Sequence, residues 1–136
     1  MQNWNHDIFD MHQRYGVHGW METHRHNPVM MKRFLEFRVK FLEEELHETK
    51  KAMELGDPEE VVDGLIDLCV VAIGTLDAFN IDAQKAWEEV HAANMAKEVG
   101  VKESRPNPLG LPDLVKPTSW KAPSHEGNHG YLPDSI

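Results

Sequence analysis

The chain has 136 residues, and its 23 acidic and 14 basic side chains give it a formal net charge of −9. This length predicts a single domain with a modest hydrophobic core. The acidic excess argues against a nucleic-acid-binding protein, because phosphate contacts require a basic surface.

Two features of the sequence bear on its compartment. Cys69 is the single cysteine, which excludes an intrachain disulfide and favours a reducing environment. The first residues lack the basic and apolar regions of a signal peptide, and the longest uncharged apolar run, residues 68–76, is too short to span a bilayer. We therefore expect a cytoplasmic protein that does not bind membranes.

The beginning of the chain predicts a short helix, a loop and a long helix. Apolar side chains in residues 6–15 recur at the spacing of an amphipathic helix that ends at a glycine. Residues 16–26 show no such period, so we interpret them as a loop. Asn27 and Pro28 then provide the cap and the first position of a long second helix, which should extend to about Leu55.

Two further helices are predicted after this one. Asp57 and Pro58 repeat the start signal, and the third helix should continue to Phe79. The fourth helix is expected at residues 83–99, with Asp82 as its cap and a glycine at its end.

The remaining residues differ in composition. Six of the eight prolines lie there, at positions 106, 108, 112, 117, 123 and 133. Proline lacks a backbone donor and breaks helices, so we predict an extended arm without its own core, and no strand pattern is visible. The fold class is therefore predicted to be all-α, with a four-helix bundle-like core at residues 1–100 and a Pro-rich C-terminal arm at residues 101–136.

Four carboxylates of the second and third helices are predicted to face the core. A helical wheel places Glu45 near the middle of the apolar face of its helix and Glu48 at the edge of that face. The third helix is apolar nearly all round between residues 61 and 76, so Asp63 and Asp67 should be buried with it.

Carboxylates that face a core need a positive charge beside them, because burying an unpaired charge is costly. One interpretation is a structural network with Arg38, which also points inward, or with basic residues of a neighbouring subunit. The interpretation that we favour is a divalent-metal site, and ligands that are all oxygen select Mg²⁺ or Mn²⁺.

These acids resemble the signature of the MazG-like all-α nucleoside triphosphate pyrophosphohydrolases. The first half of that signature is two adjacent glutamates with a third three residues later, and the second half, after a linker, is Glu-x-x-Asp. The first half is matched by Glu44, Glu45 and Glu48.

The second half of the signature differs at one position. Asp67 matches the final aspartate, whereas Gly64 occupies the position of the preceding glutamate. Asp63, beside the glycine, can replace that glutamate. The resemblance also extends to Asn94 and Lys97, which look like the family's phosphate-side segment.

Further similarities concern the first helix and the arm. His12 lies in a segment that resembles the family's first helix near the base pocket, and a structural role is the open alternative for this histidine. Lys116 and Trp120 look like the tail of small phage and bacterial members, where a lysine and an aromatic residue approach the nucleotide. Arg38 could bind substrate phosphate or neutralise the acids.

The resemblance implies the hydrolysis of a nucleoside triphosphate to the monophosphate and pyrophosphate. The phage branch that it suggests removes purine deoxynucleotides, so dGTP is an expected substrate and the cytoplasm of a phage host an expected location. Two or three Mg²⁺ or Mn²⁺ ions would be held by Glu45, Glu48, Asp63 and Asp67. The catalytic set would be Glu44, Glu45 and Glu48, with Glu44 as a base or a further ligand. The substrate-binding set would be His12, Arg38, Asn94, Lys97, Lys116 and Trp120.

Two other classes of function stay open. Glu44-x-x-His47 and Glu88-x-x-His91 are the paired motifs of di-iron carboxylate four-helix proteins, although His47 points away from the acidic face. The other class is a non-catalytic helical assembly protein whose acidic pocket binds a cation. We expect the chain to form a homo-oligomer, a dimer or a tetramer, because a monomer of this size cannot cover the apolar third helix.

Overall fold

The computed structural model describes residues 3–102, 109 and 113–136. Its five α-helices are α1 (Trp4–Arg14), α2 (Val17–His24), α3 (Pro28–Glu54), α4 (Pro58–Ala78) and α5 (Ala83–Met95). They are followed by two strands, β1 (Glu98–Gly100) and β2 (Asp113–Val115), and by a 3₁₀ turn (Leu132–Asp134). The all-α class is thereby confirmed. Of the prolines used to predict the arm, Pro106, Pro108 and Pro112 lie outside the described residues.

The starts of α3 and α4 agree with the prediction. The side chain of Asn27 accepts a hydrogen bond from the backbone N–H of Met30, and that of Asp57 accepts one from the N–H of Glu60, each at 3.2 Å. A proline follows each cap at the first helical position, where the missing N–H costs nothing. Between the two helices Gly56 adopts a left-handed φ of 69°, and this turn lets α4 return along α3.

The loop predicted at residues 16–26 is wrong, because this segment forms α2. Gly16 adopts a left-handed φ of 81°, which ends α1 and starts α2 within one turn. An eight-residue helix is not stable by itself, and tertiary contacts hold this one. Met21 is 1 % exposed in the core, and His18 is bonded to Asp77 of α4. The described part of the chain therefore has five α-helices where four were expected.

The end of α5 also differs from the prediction. The helix stops at Met95 rather than near Val99, because residues 98–100 pair with residues 113–115 in an antiparallel two-stranded sheet. The expectation of no strands is therefore wrong. Strands of three residues are too short to show the alternating pattern by which strands are recognised in a sequence.

The chain divides into two compact units. The first consists of residues 1–83 and 127–136, and the second of residues 84–126. Helices α1 to α4 belong to the first unit, and its core consists of Met21, Met31, Ala78, Phe79 and Ile81. The second unit contains α5 and the two strands. The division at residue 100 remains a prediction. In the part of the chain that the structure describes, no helix is both long and apolar enough to cross a membrane.

Helix α4 is covered on one side only, although its apolar sequence predicted burial nearly all round. The residues that face α1 and α3 are small or buried, among them Gly64, Val71 and Gly74. The exposed side carries Val62, Leu65 and Ile66, which are 63, 51 and 45 % exposed. Among the described residues no element covers this side, so these three side chains form an apolar strip at the surface.

The C-terminal segment forms hydrogen bonds with the turn between α4 and α5. The side chain of Asn128 accepts a hydrogen bond from the N–H of Asp82 at 2.8 Å and donates one to the carbonyl of Asp82 at 2.9 Å. Nearby, the N–H of Tyr131 donates to the carbonyl of Phe79 at 2.8 Å. Asn128 is itself buried, so these bonds are partly shielded from water.

Replacing Asn128 by Ala is expected to lower the free energy of unfolding by about 1–2 kcal/mol, because two backbone groups of Asp82 lose their partner. Urea unfolding measures the change. His129→Ala, at the exposed neighbouring residue, is the control and should behave like the wild type. Equal losses in the two variants would contradict the role given to Asn128.

Candidate active site

Four carboxylates lie around that of Glu45 where α3 and α4 pack together. Burial, followed by the negative charges of Glu48, Asp67, Asp63 and Glu44, raises the pKa of the Glu45 carboxyl. These five residues are the acids that the sequence singled out. The structure therefore brings them to one place, which we call the acidic cluster.

The members of the acidic cluster differ in burial. Glu45 and Asp67 are half-buried, as the inward direction predicted, whereas Asp63, Glu48 and Glu44 are exposed. Asp63 was predicted to be buried but is exposed, because α4 is covered on one side only. Among the described residues, no three of these carboxylates bring their oxygens within 4.8 Å of one another, as expected for like charges that repel.

Within the described residues, no cationic side chain forms an ion pair with the acidic cluster. Arg38, the expected neutralising partner, makes its hydrogen bonds elsewhere. Its Nε donates to Oγ1 of Thr75 at 3.0 Å, and one of its Nη groups donates to the carbonyl of Val71 at 3.1 Å. The interpretation of the acids as a network with Arg38 therefore has no support within the described chain.

Gly64 shows why the second half of the acidic signature lacks its glutamate. This glycine is buried against α3, and a Cβ added to it would overlap Oγ1 of Thr49 and lie 3.4 Å from Cα of Thr49. A glutamate at this position has no room for its side chain. Asp63 precedes the glycine in the sequence and Asp67 follows it, and the negative charge of each raises the pKa of Glu45. The close packing of the helices thus leaves two aspartates in place of a Glu–Asp pair.

The acidic cluster has the composition of a site for hard divalent ions. All its ligand atoms are carboxylate oxygens, which Mg²⁺ and Mn²⁺ prefer. Its negative charge is not balanced by any cationic partner in the described part of the chain. These residues therefore fit such ions.

The raised pKa of Glu45 predicts how stability changes with pH. The folded state binds the proton of Glu45 more tightly than the unfolded chain, in which the pKa is 4.5. The free energy of unfolding should therefore fall as the pH rises from about 4.5 through the folded pKa.

Glu45→Gln removes this pH dependence. In metal-free buffer the variant should match the wild type near pH 4 and unfold at a higher temperature than the wild type at about pH 7. Thermal unfolding across this range measures the difference. Glu36→Gln, at an exposed glutamate of the same helix, is the control, and an equal gain in that variant would contradict the assignment.

A second cluster lies where α1 and α2 meet α4. Nδ1 of His12 and Nε2 of His18 are each 2.7 Å from Oδ2 of Asp77. His12 is 4 % exposed, and burial lowers its pKa, against the opposing effect of the hydrogen bond to Asp77. The sequence singled out His12 but missed His18 and Asp77. They are separated by 59 residues, so no local spacing connects them.

Arg38 lies beside His12, with Gly74 of α4 between them. A Cβ added to Gly74 would be 2.6 Å from an Nη of Arg38 and 3.2 Å from Cε1 of His12, so the glycine lets the α4 backbone approach both side chains. Arg38 precedes Glu45 by two helical turns, which corresponds to roughly 10 Å along α3. Two of the predicted substrate-binding residues are therefore together, and separate from the predicted metal ligands.

The other four predicted substrate-binding residues lie in the second unit. The Nζ atoms of Lys97 and Lys116 are 5.7 and 4.8 Å from the ring centroid of Trp120. The indole N–H of Trp120 donates to the carbonyl of Ala93 at 2.7 Å, which fastens the ring to α5. Asn94 is the next residue of this helix and is exposed. The role of these four residues toward a nucleotide remains a prediction.

Within the described residues, the histidines of the two Glu-x-x-His motifs belong to no cluster of metal-ligating side chains. His47 on α3 and His91 on α5 are both exposed. Among the described residues, the one group of three histidine, cysteine or acidic side chains within 4.8 Å of one another contains neither of them. The di-iron alternative therefore has no ligand cluster in the described chain.

Comparison with known proteins identifies a family. The sequence profile of the family described as phosphoribosyl-ATP pyrophosphohydrolase matches residues 20–94, which is more than half of the chain. The matched range includes the whole acidic cluster. Comparisons with curated proteins and with solved structures gave no match.

Proposed function

The chain belongs to the phosphoribosyl-ATP pyrophosphohydrolase family, and from this membership we propose that it hydrolyses a purine nucleoside or deoxynucleoside triphosphate, dGTP in particular, to the monophosphate and pyrophosphate. The family belongs to the MazG-like all-α pyrophosphohydrolases, so the general class of the activity follows from membership. The observation that carries the proposal is the acidic cluster, in which the charges of four carboxylates act on Glu45 and no ion pair balances them within the described residues.

The proposed reaction breaks the bond between the α-phosphorus and the oxygen that bridges to the β-phosphorus. The carboxylates of Glu45, Glu48, Asp63 and Asp67 provide oxygen ligands for two or three Mg²⁺ or Mn²⁺ ions. When bound, such ions neutralise the triphosphate and make a water molecule more acidic. Glu44 is exposed beside these ligands and accepts the proton of the water. The water oxygen bonds to the α-phosphorus, and pyrophosphate leaves with the electron pair of the broken bond.

Cationic side chains are proposed to receive the leaving pyrophosphate. Lys97 and Lys116 are assigned to this role on the resemblance described above, and both ammonium groups lie near the ring of Trp120. Asn94 and Trp120 are assigned to the nucleotide on the resemblance described above. His12 and Arg38 are assigned to the substrate on the same basis, and neither is among the groups whose charge acts on Glu45.

We also propose that the chain forms a homo-oligomer, either a dimer or a tetramer. The exposed apolar strip of Val62, Leu65 and Ile66 supports this, because soluble monomers seldom leave such a strip uncovered. Light scattering coupled to size exclusion measures the mass. A monomeric mass for the wild type would contradict the proposal.

The description of the family favours a second candidate substrate, phosphoribosyl-ATP. This molecule carries a triphosphate with the same α–β linkage, so the same step at the acidic cluster would hydrolyse it. The cluster itself acts on phosphates and does not distinguish the two substrates.

The decisive experiment offers the purified chain the eight common nucleoside and deoxynucleoside triphosphates and phosphoribosyl-ATP, with Mg²⁺ or Mn²⁺. We expect pyrophosphate and monophosphate in equal amounts, dGTP as the preferred substrate, and no product in the presence of EDTA. Release of orthophosphate would contradict the proposed bond cleavage. Absence of turnover with every substrate would favour the non-catalytic cation-binding protein, and oxygen-dependent absorbance after anaerobic loading with Fe²⁺ would favour the di-iron class.

A further inference from the structure

The cluster of His12, His18 and Asp77 has a composition different from that of the acidic cluster. Its side chains come from α1, α2 and α4, and their ligand atoms all lie within 4.8 Å of one another. It contains two imidazole nitrogens and one carboxylate oxygen. Borderline divalent ions such as Zn²⁺ and Co²⁺ prefer this mixture, whereas Mg²⁺ prefers oxygen alone.

The distances allow one small ion to enter this group. Nδ1 of His12 and Nε2 of His18 now share Oδ2 of Asp77, each at 2.7 Å. Ligands in tetrahedral positions around Zn²⁺ lie about 3.3 Å apart, because each is about 2.0–2.1 Å from the ion. Each nitrogen–oxygen distance therefore has to lengthen by less than roughly 1 Å, and the two nitrogens, which lie within 4.8 Å of each other, have to approach by at most roughly 1.5 Å. Rotation of the side chains provides both movements.

The surroundings of the cluster also suit a metal ion. The second ring nitrogen of His18, Nδ1, is 2.8 Å from Oε1 of Gln13, and such a bond to the outer nitrogen fixes the orientation of a metal-binding imidazole. A cavity of about 310 Å³ is lined by His18, Asp77, Phe9 and Asn80 among others. This space provides an entry path for the ion and room for water at a fourth position.

We propose that Nδ1 of His12, Nε2 of His18 and a carboxylate oxygen of Asp77 bind one borderline transition-metal ion of the Zn²⁺ class. The site is separate from the acidic cluster, because Arg38 beside His12 is two helical turns from Glu45. The bound ion joins α1 and α2 to α4 and therefore stabilises the fold. Coordination through Nδ1 leaves Nε2 of His12 on the side of Gly74 and Arg38. The proposal does not depend on the proposed enzymatic activity.

The first test measures metal binding by the full chain after removal of metal, with an excess of Mg²⁺ present to occupy the acidic cluster. Titration with Zn²⁺ should show one tight site per chain, and Co²⁺ should produce visible absorption bands that Zn²⁺ abolishes. His18→Gln and Asp77→Asn should each weaken Zn²⁺ binding at least about 100-fold, because each removes a ligand. His47→Gln, at an exposed histidine outside the cluster, should bind as the wild type does.

Asp67→Asn is the second control, because it alters the acidic cluster alone. It should leave Zn²⁺ binding unchanged. Loss of Zn²⁺ binding in this variant would place the ion in the acidic cluster and overturn the proposal. Equal binding by the wild type and His18→Gln would overturn it as well, and would leave Asp77 as a hydrogen-bond acceptor for the two histidines.

A measurement on the wild type avoids any dependence on the folding of variants. Zn²⁺ should protect His18 from chemical modification by diethyl pyrocarbonate, as measured by peptide mass spectrometry, and should not protect His47. The unfolding temperature should rise with Zn²⁺ concentration in the same range, as expected for a ligand of the folded state. Equal modification of His18 with and without Zn²⁺ would contradict the proposal even if the variants failed to fold.

Discussion

Asp67→Asn is expected to lower kcat/KM for pyrophosphate release by about 10²–10³-fold, because it removes one charged ligand of the proposed metal site. The same variant should unfold at a higher temperature than the wild type in metal-free buffer. The reason is that Asp67 is among the negative charges that raise the pKa of Glu45, and removing it relieves repulsion in the folded state. Loss of activity with a gain in stability is the signature of a site built from like charges.

Glu43→Gln is the matched control for this prediction. Glu43 is an exposed glutamate two residues from Glu45, but its charge is not among those that act on Glu45. Activity and unfolding temperature should stay close to those of the wild type. A similar loss of activity in both variants would show that overall charge, and not the acidic cluster, governs the reaction. Full activity in Asp67→Asn would contradict its role as a ligand.

Gly64→Ala is expected to lower the free energy of unfolding by about 1–3 kcal/mol, although alanine favours helices more than glycine does. The added Cβ overlaps Oγ1 of Thr49, so α3 and α4 must move apart. Because the acidic cluster spans these two helices, the movement should also reduce kcat/KM. Urea unfolding and pyrophosphate release measure the two effects.

Two further variants test the cause. Gly19→Ala introduces the same change in α2, where an added Cβ has no atom within 4 Å, and it should be neutral or stabilising. Thr49→Ala in combination with Gly64→Ala should recover part of the lost stability, because it removes the overlapping oxygen. Additive effects of the two substitutions would show that Thr49 is not the obstacle.

The long helices and the acidic cluster could be predicted from the sequence because both depend on local spacing. Asn27 and Asp57 cap their helices through bonds to residues three positions later, and this arrangement is visible in the sequence. Glu45 and Glu48 lie on one helix, as do Asp63 and Asp67, so a helical wheel relates the members of each pair. What remained to be found was that α3 and α4 bring the two pairs together.

Other parts of the molecule depend on contacts that no local pattern reveals. Helix α2 is held by the burial of Met21 and by the bond from His18 to Asp77, and without these contacts its eight residues resemble a loop. The replacement of the signature glutamate by Gly64 became understandable only from the position of Thr49 on the neighbouring helix. The exposure of Asp63 likewise depends on which side of α4 the other helices cover.

The two hydrogen bonds between Asp82 and Asn128 bear on which parts of the sequence can be substituted. The two residues stand immediately outside the second unit, one shortly before it and one shortly after it, and they are bonded to each other. These hydrogen bonds therefore close the segment between the two residues at its base. The acids of α3 and α4 lie outside this segment, so substitutions of its lysines or its tryptophans leave the hydrogen bonds that close it in place.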